Sequence, residues 1–298
     1  MQDSLDAAAV DKVALERFRK TVLTRGKDLY RDLPWRRTTD PYSIWISEVM
    51  LQQTQVTRVD GRWQRWLLRF PTVDALAAAN TADVLDEWQG MGYNRRALSL
   101  LKAAQAVSAM GGQMPSQVSQ LVSLPGIGPA TAAGIRAFAF NLPGVYLETN
   151  VRTVFLHELY PDAVAVPDRE LIPLVEATCP PDASDPNDDP RTWYYALLDY
   201  GAYLKKTVPN PSRRSRTHVR QTRFDGSHRQ KRAMVVRAML AHRADACGGA
   251  TLAAVVDDVS QEEARAGRPL VDQGTVLEIL EELAREGFCH AAGDLWCV

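Results

Sequence analysis

Hydrophobic positions recur at helical spacing along most of the chain. Phe18 and Val22 lie on one face of a predicted N-terminal helix that ends near Gly26. Asp40 followed by Pro41 is typical of a helix N-cap and first helical residue. Further helical patterns cover residues 58–69, 73–78, 81–88, 94–109, 117–122 and 192–204. Because the connections between them are short and contain Gly or Pro, the pattern indicates an all-α bundle.

The pattern changes after residue 204. Residues 205–228 show no apolar periodicity and are expected to form a loop. Helical patterns return at 229–242, 250–258 and 272–287, and the chain closes with FCHAAGDLWCV, two short apolar pieces around a turn. Helices followed by a β-hairpin predict a small winged-helix-like domain over residues 229–298.

Charge is distributed unevenly along the sequence. The 298 residues include 35 Lys and Arg against 36 Asp and Glu, a total that argues against a nucleic-acid partner. Residues 201–240, however, contain eleven Lys and Arg and one acidic residue, whereas residues 241–298 contain four basic and eleven acidic residues. The basic segment favours a polyanion, most commonly a phosphate backbone, over a merely solvated face.

The sequence argues against a membrane protein and against a secreted protein. No apolar run approaches the roughly 18 residues of a spanning helix, and the first residues do not resemble a secretory signal, so we expect a cytoplasmic protein without membrane contact. The spacing of Cys179, Cys247, Cys289 and Cys297 matches no paired-ligand knuckle, which favours packing or surface thiols.

The segment LVSLPGIGPATAAGI, residues 121–135, has the pattern of a helix-hairpin-helix. Gly126 and Gly128 allow a sharp turn and a close approach of the backbone to a ligand. The helix that begins near Pro129 would present free N–H groups to a phosphate. Taken alone, the same pattern also fits an ordinary connection between two helices.

The hairpin and four other segments resemble the adenine DNA glycosylases of the endonuclease III superfamily. The others are RDLPWRRTTDPYSIWISEVMLQQTQV (31–56), FPTVDALA (70–77), WQGMGYNRRAL (88–98) and ALLDYGA (196–202). The resemblance covers about three-quarters of the chain, from near residue 10 to near residue 223. It implies the two-subdomain helix-hairpin-helix glycosylase fold with a DNA cleft, with residues 31–138 as a six-helix barrel subdomain, residues 1–30 and 139–204 as the second, and 205–228 as a basic loop.

The resemblance also implies roles for individual residues. Glu48 matches the glutamate that protonates the departing adenine, Gln52 and Gln53 match residues that wedge into the base stack, and Tyr93 matches an aromatic residue beside the opposite base. Arg31, Leu33 and Trp35 match positions that line the adenine pocket. An enzyme of this kind must flip its base out of the duplex before cleaving the glycosidic bond.

A second carboxylate is expected beside the developing positive charge on the sugar. In the family it is an aspartate eighteen residues beyond the hairpin position that carries a lysine in lyases. Here those positions are Glu148 and Ala130, and Asn150 matches the family's asparagine. We interpret Glu148 as a working replacement in a reshaped pocket, the alternatives being a weakened enzyme or another target base. Ala130 has no amine for a Schiff base, so no lyase activity is expected.

The resemblance breaks down at the family's iron–sulfur cluster. Where the family carries C-x6-C-x2-C-x5-C, this chain has Lys205, Ser212, Ser215 and Gln221. We therefore expect no cluster, as in the cluster-less branch of the family, and no other cofactor except a candidate monovalent cation at the hairpin. The expected contacts to the DNA backbone are Gly126, Ile127, Gly128, Ala130, Thr131, Lys205, Lys206, Arg213, Arg214 and Arg216.

The C-terminal residues also depart from the family, which usually ends in a β-rich Nudix-like domain that recognises 8-oxoguanine. A structural or protein-contact role is favoured for 229–298. The leading hypothesis is a monomeric, monofunctional base excision repair enzyme that removes adenine mispaired with 8-oxoguanine or guanine from double-stranded DNA. The alternatives are a glycosylase for mismatched thymine or uracil, or a non-catalytic protein that binds damaged DNA.

Overall fold

The computed structural model describes residues 12–218, 223–244 and 248–298. The first eleven residues, the former cluster position Gln221 and Cys247 lie outside these ranges. The helices and strands are α1 (Lys12–Asp28), α2 (Pro41–Leu51), α3 (Val56–Val59), α4 (Arg62–Arg69), α5 (Val73–Ala77), α6 (Thr81–Glu87), α7 (Arg95–Ala109), α8 (Val118–Ser123), α9 (Pro129–Phe140), α10 (Thr149–Glu158), α11 (Asp168–Thr178), α12 (Pro190–Thr207), α13 (His228–Ala241), β1 (Ala250–Thr251), α14 (Leu252–Arg265), α15 (Gln273–Glu286), β2 (His290–Ala292) and β3 (Leu295–Cys297). The expected predominantly helical fold is confirmed. In the described part of the chain, every helix is too short or too polar to cross a membrane.

The first of two compact units combines the ranges Met1–Val49 and Met114–Arg220. Its core is built from large apolar side chains of α1, α9, α10 and α12. The Phe18 ring lies 4.8 Å from that of Phe155 and 6.0 Å from that of Trp193, centroid to centroid. Phe138 of α9 stacks on Tyr195 of α12 with centroids 4.5 Å apart. These contacts tie the hairpin helix to the helix that carries the ALLDYGA segment.

The second unit combines Met50–Gln113 with Gln221–Val298. This division differs from the expected boundaries, which placed the hairpin with residues 31–113. The physical reason is the packing of α9 against α12, in a core shared with α10, which places the hairpin with the helices that follow it. Residues 50–113 have their own aromatic core, in which Trp66 lies 5.6 Å from Trp88.

The described residues of 223–244 and 248–298 contain the three α-helices α13, α14 and α15 and a small antiparallel sheet with strand order β1-β3-β2. The predicted helix at 250–258 begins two residues later, because Ala250 and Thr251 pair with Trp296 and Leu295 of β3. Thr251 then caps α14, its hydroxyl accepting a hydrogen bond from the Ala254 N–H at 3.2 Å. The arrangement agrees with the expected helices and hairpin.

The segment after α12 is less loop-like than the sequence predicts. Helix α12 continues to Thr207, so Lys205 and Lys206 lie in its last turn rather than in a loop. Cations are favourable there because they face the negative end of the helix dipole. Further on, Val166 donates to the Arg214 carbonyl and accepts from the Arg216 N–H, each at 2.9 Å. This pairing fixes residues 214–216 against the chain between α10 and α11.

Arg214 is a structural residue of this segment. Its guanidinium group donates to the carbonyl of Leu156 at 2.7 Å and to the carbonyls of Tyr160 and Pro161. These carbonyls lie at and beyond the end of α10, where helical partners are missing. The expected phosphate contact of Arg214 is therefore replaced by an internal one, whereas Arg213 and Arg216 are exposed.

Replacing Arg214 by Ala should lower the free energy of unfolding by about 2–3 kcal/mol, because the three carbonyls lose a charged donor. Arg213→Ala, which removes the same charge from the neighbouring exposed position, should change it by less than about 0.5 kcal/mol. Chemical denaturation of both variants measures the difference. Equal effects of the two substitutions would contradict the structural role of Arg214.

Candidate active site

Glu48 is placed by helix α2, whose start is fixed by the predicted cap. The Asp40 carboxylate accepts hydrogen bonds from the Ser43 N–H at 2.8 Å and the Ser43 hydroxyl at 2.6 Å. Pro41 is the first helical residue, as predicted. The neighbouring Ile44 and Trp45 are buried, whereas the side chain of Glu48 keeps some exposure. The helix thus presents one carboxyl group from a largely buried stretch.

Two residues of the same unit confine this carboxyl group. The hydroxyl of Tyr146 donates a hydrogen bond to it. Gly134 of α9 lies beside both groups, because an added Cβ there would overlap Oε2 of Glu48 and the Tyr146 ring. Any other residue at position 134 would displace Glu48. Neither Tyr146 nor Gly134 is singled out by the sequence, because only folding brings them to Glu48.

Burial raises the pKa of Glu48 to about 8. The hydrogen bond from Tyr146 opposes this change by favouring the charged form, and the nearby charge of Glu148 adds to it. Glu48 therefore holds a proton at neutral pH and can act as a general acid.

Glu148 lies at the start of α10, where its side chain caps the helix. Its Oε1 accepts hydrogen bonds from the N–H groups of Asn150 at 2.6 Å and Val151 at 3.1 Å. Burial raises the pKa of Glu148, while these hydrogen bonds and the charge of Lys205 act in the opposite direction. The carboxylate of Glu148 thus makes the hydrogen bonds of a helix N-cap, despite being one methylene longer than aspartate. Lys205, expected at the DNA backbone, thus has an electrostatic partner inside the site.

Asn150 links Glu148 to the ALLDYGA segment. Its side chain hydrogen-bonds to the Glu148 carboxylate, whereas its Oδ1 is buried and accepts no hydrogen bond from the residues that the structure describes. Its backbone lies against Gly201 of α12, where a Cβ would overlap the Asn150 carbonyl. The glycine of ALLDYGA therefore allows α12 to approach the start of α10.

Asp199 of the ALLDYGA segment forms ion pairs with two arginines in the chain between α1 and α2. Asp199 is 2% exposed and binds two guanidinium groups. Arg31 Nε lies 2.5 Å from Oδ1, and Arg36 makes two contacts of 2.7 and 2.9 Å. The Arg36 guanidinium also lies 4.3 Å from the centre of the Tyr195 ring. Arg36 and Asp199 were not among the candidate residues, since an ion pair so distant in sequence leaves no local signal.

The predicted pocket residues lie on this segment between α1 and α2. Trp35 is buried within the short 3-10 helix Pro34–Arg36, and Leu33 immediately precedes it. Arg31 donates to Asp199 and to the Leu198 carbonyl, so its guanidinium has structural partners. Contact of these residues with adenine stays a prediction.

The hairpin has the predicted geometry. Helix α8 ends at Ser123 and α9 begins at Pro129. Gly126 has a φ of +77°, a left-handed conformation that favours glycine, and both it and Gly128 are exposed. Ile127 is buried, and its N–H donates to the Leu124 carbonyl at 3.2 Å, so this residue packs the turn rather than offering its N–H to a phosphate. Ala130 and Thr131 occupy the first turn of α9.

The predicted wedge residues Gln52 and Gln53 belong to the second unit, as does Tyr93, whereas Glu48 belongs to the first. Gln53 and Tyr93 both have left-handed backbones, with φ of +53° and +49°. Such conformations are uncommon for residues other than glycine, and they concentrate at functional sites.

Arg96 brings these two loops together. Its guanidinium donates to the carbonyls of Gln52 at 2.7 Å and Gly92 at 3.0 Å, and to the Thr54 hydroxyl at 3.1 Å. Burial lowers the pKa of Arg96 to about 10, so it keeps its charge at neutral pH. The sequence showed Arg96 only as one arginine of WQGMGYNRRAL, because its role depends on contacts across more than forty residues.

The residues at the former cluster positions do not fit an iron–sulfur cluster. Ser212 and Ser215 are buried, and their hydroxyls hydrogen-bond at 2.8 Å to Asn210 and Thr217, respectively. Thiolates are the usual ligands of such a cluster, and neither these hydroxyls nor the Lys205 ammonium replaces them. Within the described ranges, no group of three or more His, Cys, Asp and Glu is arranged to hold a metal.

The first unit contains a hairpin between two helices together with two acidic groups, Glu48 and Glu148. Residues 46–187 match the family described as "HhH-GPD superfamily base excision DNA repair protein". Over these residues, the chain is similar to that superfamily.

Individual proteins extend the comparison. The chain is 40% identical over 174 residues to an adenine DNA glycosylase of Mycolicibacterium smegmatis, covering 58% of each protein. It is 42% identical over 127 residues to an adenine DNA glycosylase of Mycobacterium tuberculosis, covering 42% of each. The chain therefore spans less than two thirds of these relatives. The structure of a thermostable thymine-DNA glycosylase is similar with a TM-score of 0.56 and 25% identity, covering 66% of this chain and 88% of that one.

Replacing Glu48 by Gln should raise the free energy of unfolding, and the gain should grow between about pH 5 and pH 8. The folded protein keeps the Glu48 proton up to about pH 8, whereas the unfolded chain releases it near the ordinary pKa of 4.5. Rising pH therefore penalises the wild-type fold across this interval, and Gln removes the penalty.

Denaturant unfolding at several pH values tests this expectation. Glu176→Gln serves as the control, because it removes an exposed carboxylate from α11 of the same unit. A difference between wild type and Glu48→Gln that stays constant with pH would contradict a protonated Glu48.

Proposed function

We propose that the protein is a monofunctional DNA glycosylase that removes adenine from mispairs with 8-oxoguanine or guanine during base excision repair. The observation that carries this proposal is Glu48, an acid whose pKa of about 8 keeps it protonated at neutral pH. The second acidic residue, Glu148, lies close enough to affect that pKa. Relatives named adenine DNA glycosylase support the choice of adenine.

The two acidic residues divide the chemistry. Once adenine has been flipped from the duplex, Glu48 donates its proton to the departing base. The bond between the sugar C1′ and adenine N9 breaks, and its electron pair leaves with the base. Glu148 stabilises the positive charge that develops on the sugar, water adds to C1′ and loses a proton, and an abasic site remains.

The absence of an amine at Ala130 supports hydrolysis without strand cleavage. A lyase needs an amine that forms a Schiff base with the sugar, and an alanine side chain cannot supply one. At the same end of α9, the exposed Gly126 and Gly128 are suited to contact a DNA backbone phosphate.

We extend the proposal to the protein's partners. Its substrate is double-stranded DNA with a mismatched or damaged base, bound by a monomer in the cytoplasm at the nucleoid. No iron–sulfur cluster is needed, because Arg214 and the paired backbone at Val166 hold the segment that a cluster would hold.

Thymine opposite guanine is the second candidate substrate. The similarity to a thymine-DNA glycosylase structure favours it, as does a glutamate where adenine glycosylases have an aspartate. The longer side chain reshapes the site around Asn150 and Lys205.

Labelled duplexes separate these candidates. The protein is incubated with adenine opposite 8-oxoguanine, adenine opposite guanine, thymine opposite guanine, or uracil opposite guanine, and abasic sites are then cleaved with alkali. We expect scission of the adenine duplexes only after alkali, and its loss in Glu48→Gln. Scission only of thymine or uracil duplexes would establish the second candidate, and binding without scission would contradict a glycosylase.

Arg213→Ala with Arg216→Ala should weaken binding to duplexes of any sequence. Each exposed guanidinium that neutralises a phosphate contributes about one unit to the slope of log affinity against log salt, so the double variant should flatten that slope by about two. Arg17→Ala with Lys20→Ala removes the same charge from the exposed face of α1 and should leave the slope unchanged. Equal slopes for both double variants would exclude the basic segment as a phosphate contact.

A further inference from the structure

In the second unit, an arginine of the C-terminal residues lies against Tyr93. Arg229, in the first turn of α13, donates from Nη1 to the Tyr93 hydroxyl at 3.1 Å. Its Cζ lies 5.9 Å from the centre of the Tyr93 ring, and that of Arg96 lies 5.6 Å from it. The ring nevertheless remains 40% exposed. An accessible aromatic ring beside guanidinium groups is a combination that binds nucleobases by stacking and hydrogen bonding.

The position of Arg229 is fixed by a charged network. One turn along α13, Arg232 binds Glu282 and Glu286 of α15, each at 2.6 Å. Glu286 also binds Arg95 of α7 at 2.5 Å. Arg95 and Arg96 are adjacent at the start of α7. This helix therefore contacts the Tyr93 loop through Arg96 and α15 of the C-terminal domain through Arg95. Burial and repeated contacts distinguish Arg232 from an ordinary surface ion pair.

The charge of the domain argues against a general phosphate-binding surface. Residues 241–298 carry eleven acidic and four basic residues. Several of the acidic residues pair within the domain, as Glu262 does with Arg237 at 2.6 Å and Asp258 with His242 at 3.0 Å. The charge of residues 241–298 therefore argues against a broad phosphate contact by this part of the domain.

We propose that the C-terminal domain contributes Arg229 as a residue that recognises the base opposite the excised one. Guanine presents O6 and N7 as adjacent acceptors, which match the parallel donors of a guanidinium group. Tyr93 offers its ring for stacking at the same place. The inference rests on the proposed function, because an opposite base is recognised only by an enzyme that excises one base of a mispair.

The test measures selectivity rather than activity alone. Rates of adenine excision are compared for adenine opposite guanine and adenine opposite cytosine. Arg229→Ala should reduce the guanine-to-cytosine ratio about tenfold. Arg229→Lys should reduce it as well, because lysine keeps the charge but lacks the two parallel donors. Arg237→Ala, an exposed arginine on the same helix, should leave the ratio at the wild-type value.

A ratio unchanged in Arg229→Ala would overturn the proposal. An equal loss of rate with every opposite base would also overturn it, since that is the effect of a phosphate contact. Unfolding midpoints of the three variants show whether the domain remains folded, and Arg229→Lys supplies the comparison if Arg229→Ala does not.

A binding measurement separates this inference from the proposed function. Glu48→Gln is titrated with duplexes that carry an abasic analogue opposite guanine or cytosine, with and without Arg229→Ala. Wild-type protein that excises no adenine would refute the proposed function alone. A preference for guanine in this titration that disappears with Arg229→Ala supports the inference in either case, and equal binding of both duplexes refutes it.

Discussion

The carboxyl group of Glu48 is buried beside Tyr146 and the backbone of Gly134, and the proposed chemistry depends on this burial. A side chain at position 134 would overlap both the Glu48 carboxyl group and the Tyr146 ring. Without this burial, the carboxyl group would ionise near pH 4.5 and would have no proton to donate at neutral pH. The clamp of Asp199 on Arg31 and Arg36 serves the same site, since it fixes the chain that leads into α2.

Features encoded by neighbouring residues could be predicted from the sequence. Asp40 caps α2 and Gly126 turns the hairpin, as their local patterns indicate. Features that depend on distant residues could not be predicted. Tyr146 and Arg96 have no special spacing relative to the residues they contact, and their roles exist only in the folded chain.

The role of a charged residue likewise depends on contacts that the sequence does not show. The basic segment marks a region that is suited to phosphate, yet a count of arginines does not distinguish Arg214, whose guanidinium binds backbone carbonyls, from exposed Arg213. At two of the positions where cluster ligands were expected, the same segment has the serines Ser212 and Ser215. Hydrogen bonds from these buried hydroxyls and from Arg214 stabilise the segment.

We infer that Glu48 acts as a protonated acid whose pKa is raised by burial and lowered in part by the hydrogen bond from Tyr146. The single-turnover rate of adenine excision, measured against pH for wild type and Tyr146→Phe, tests this inference. The wild-type rate should fall as pH rises through about 8. In Tyr146→Phe the fall should occur at higher pH, because that variant loses the hydrogen bond that favours the charged form. A wild-type rate that is constant from pH 7 to pH 9, or that rises there, would contradict a protonated Glu48.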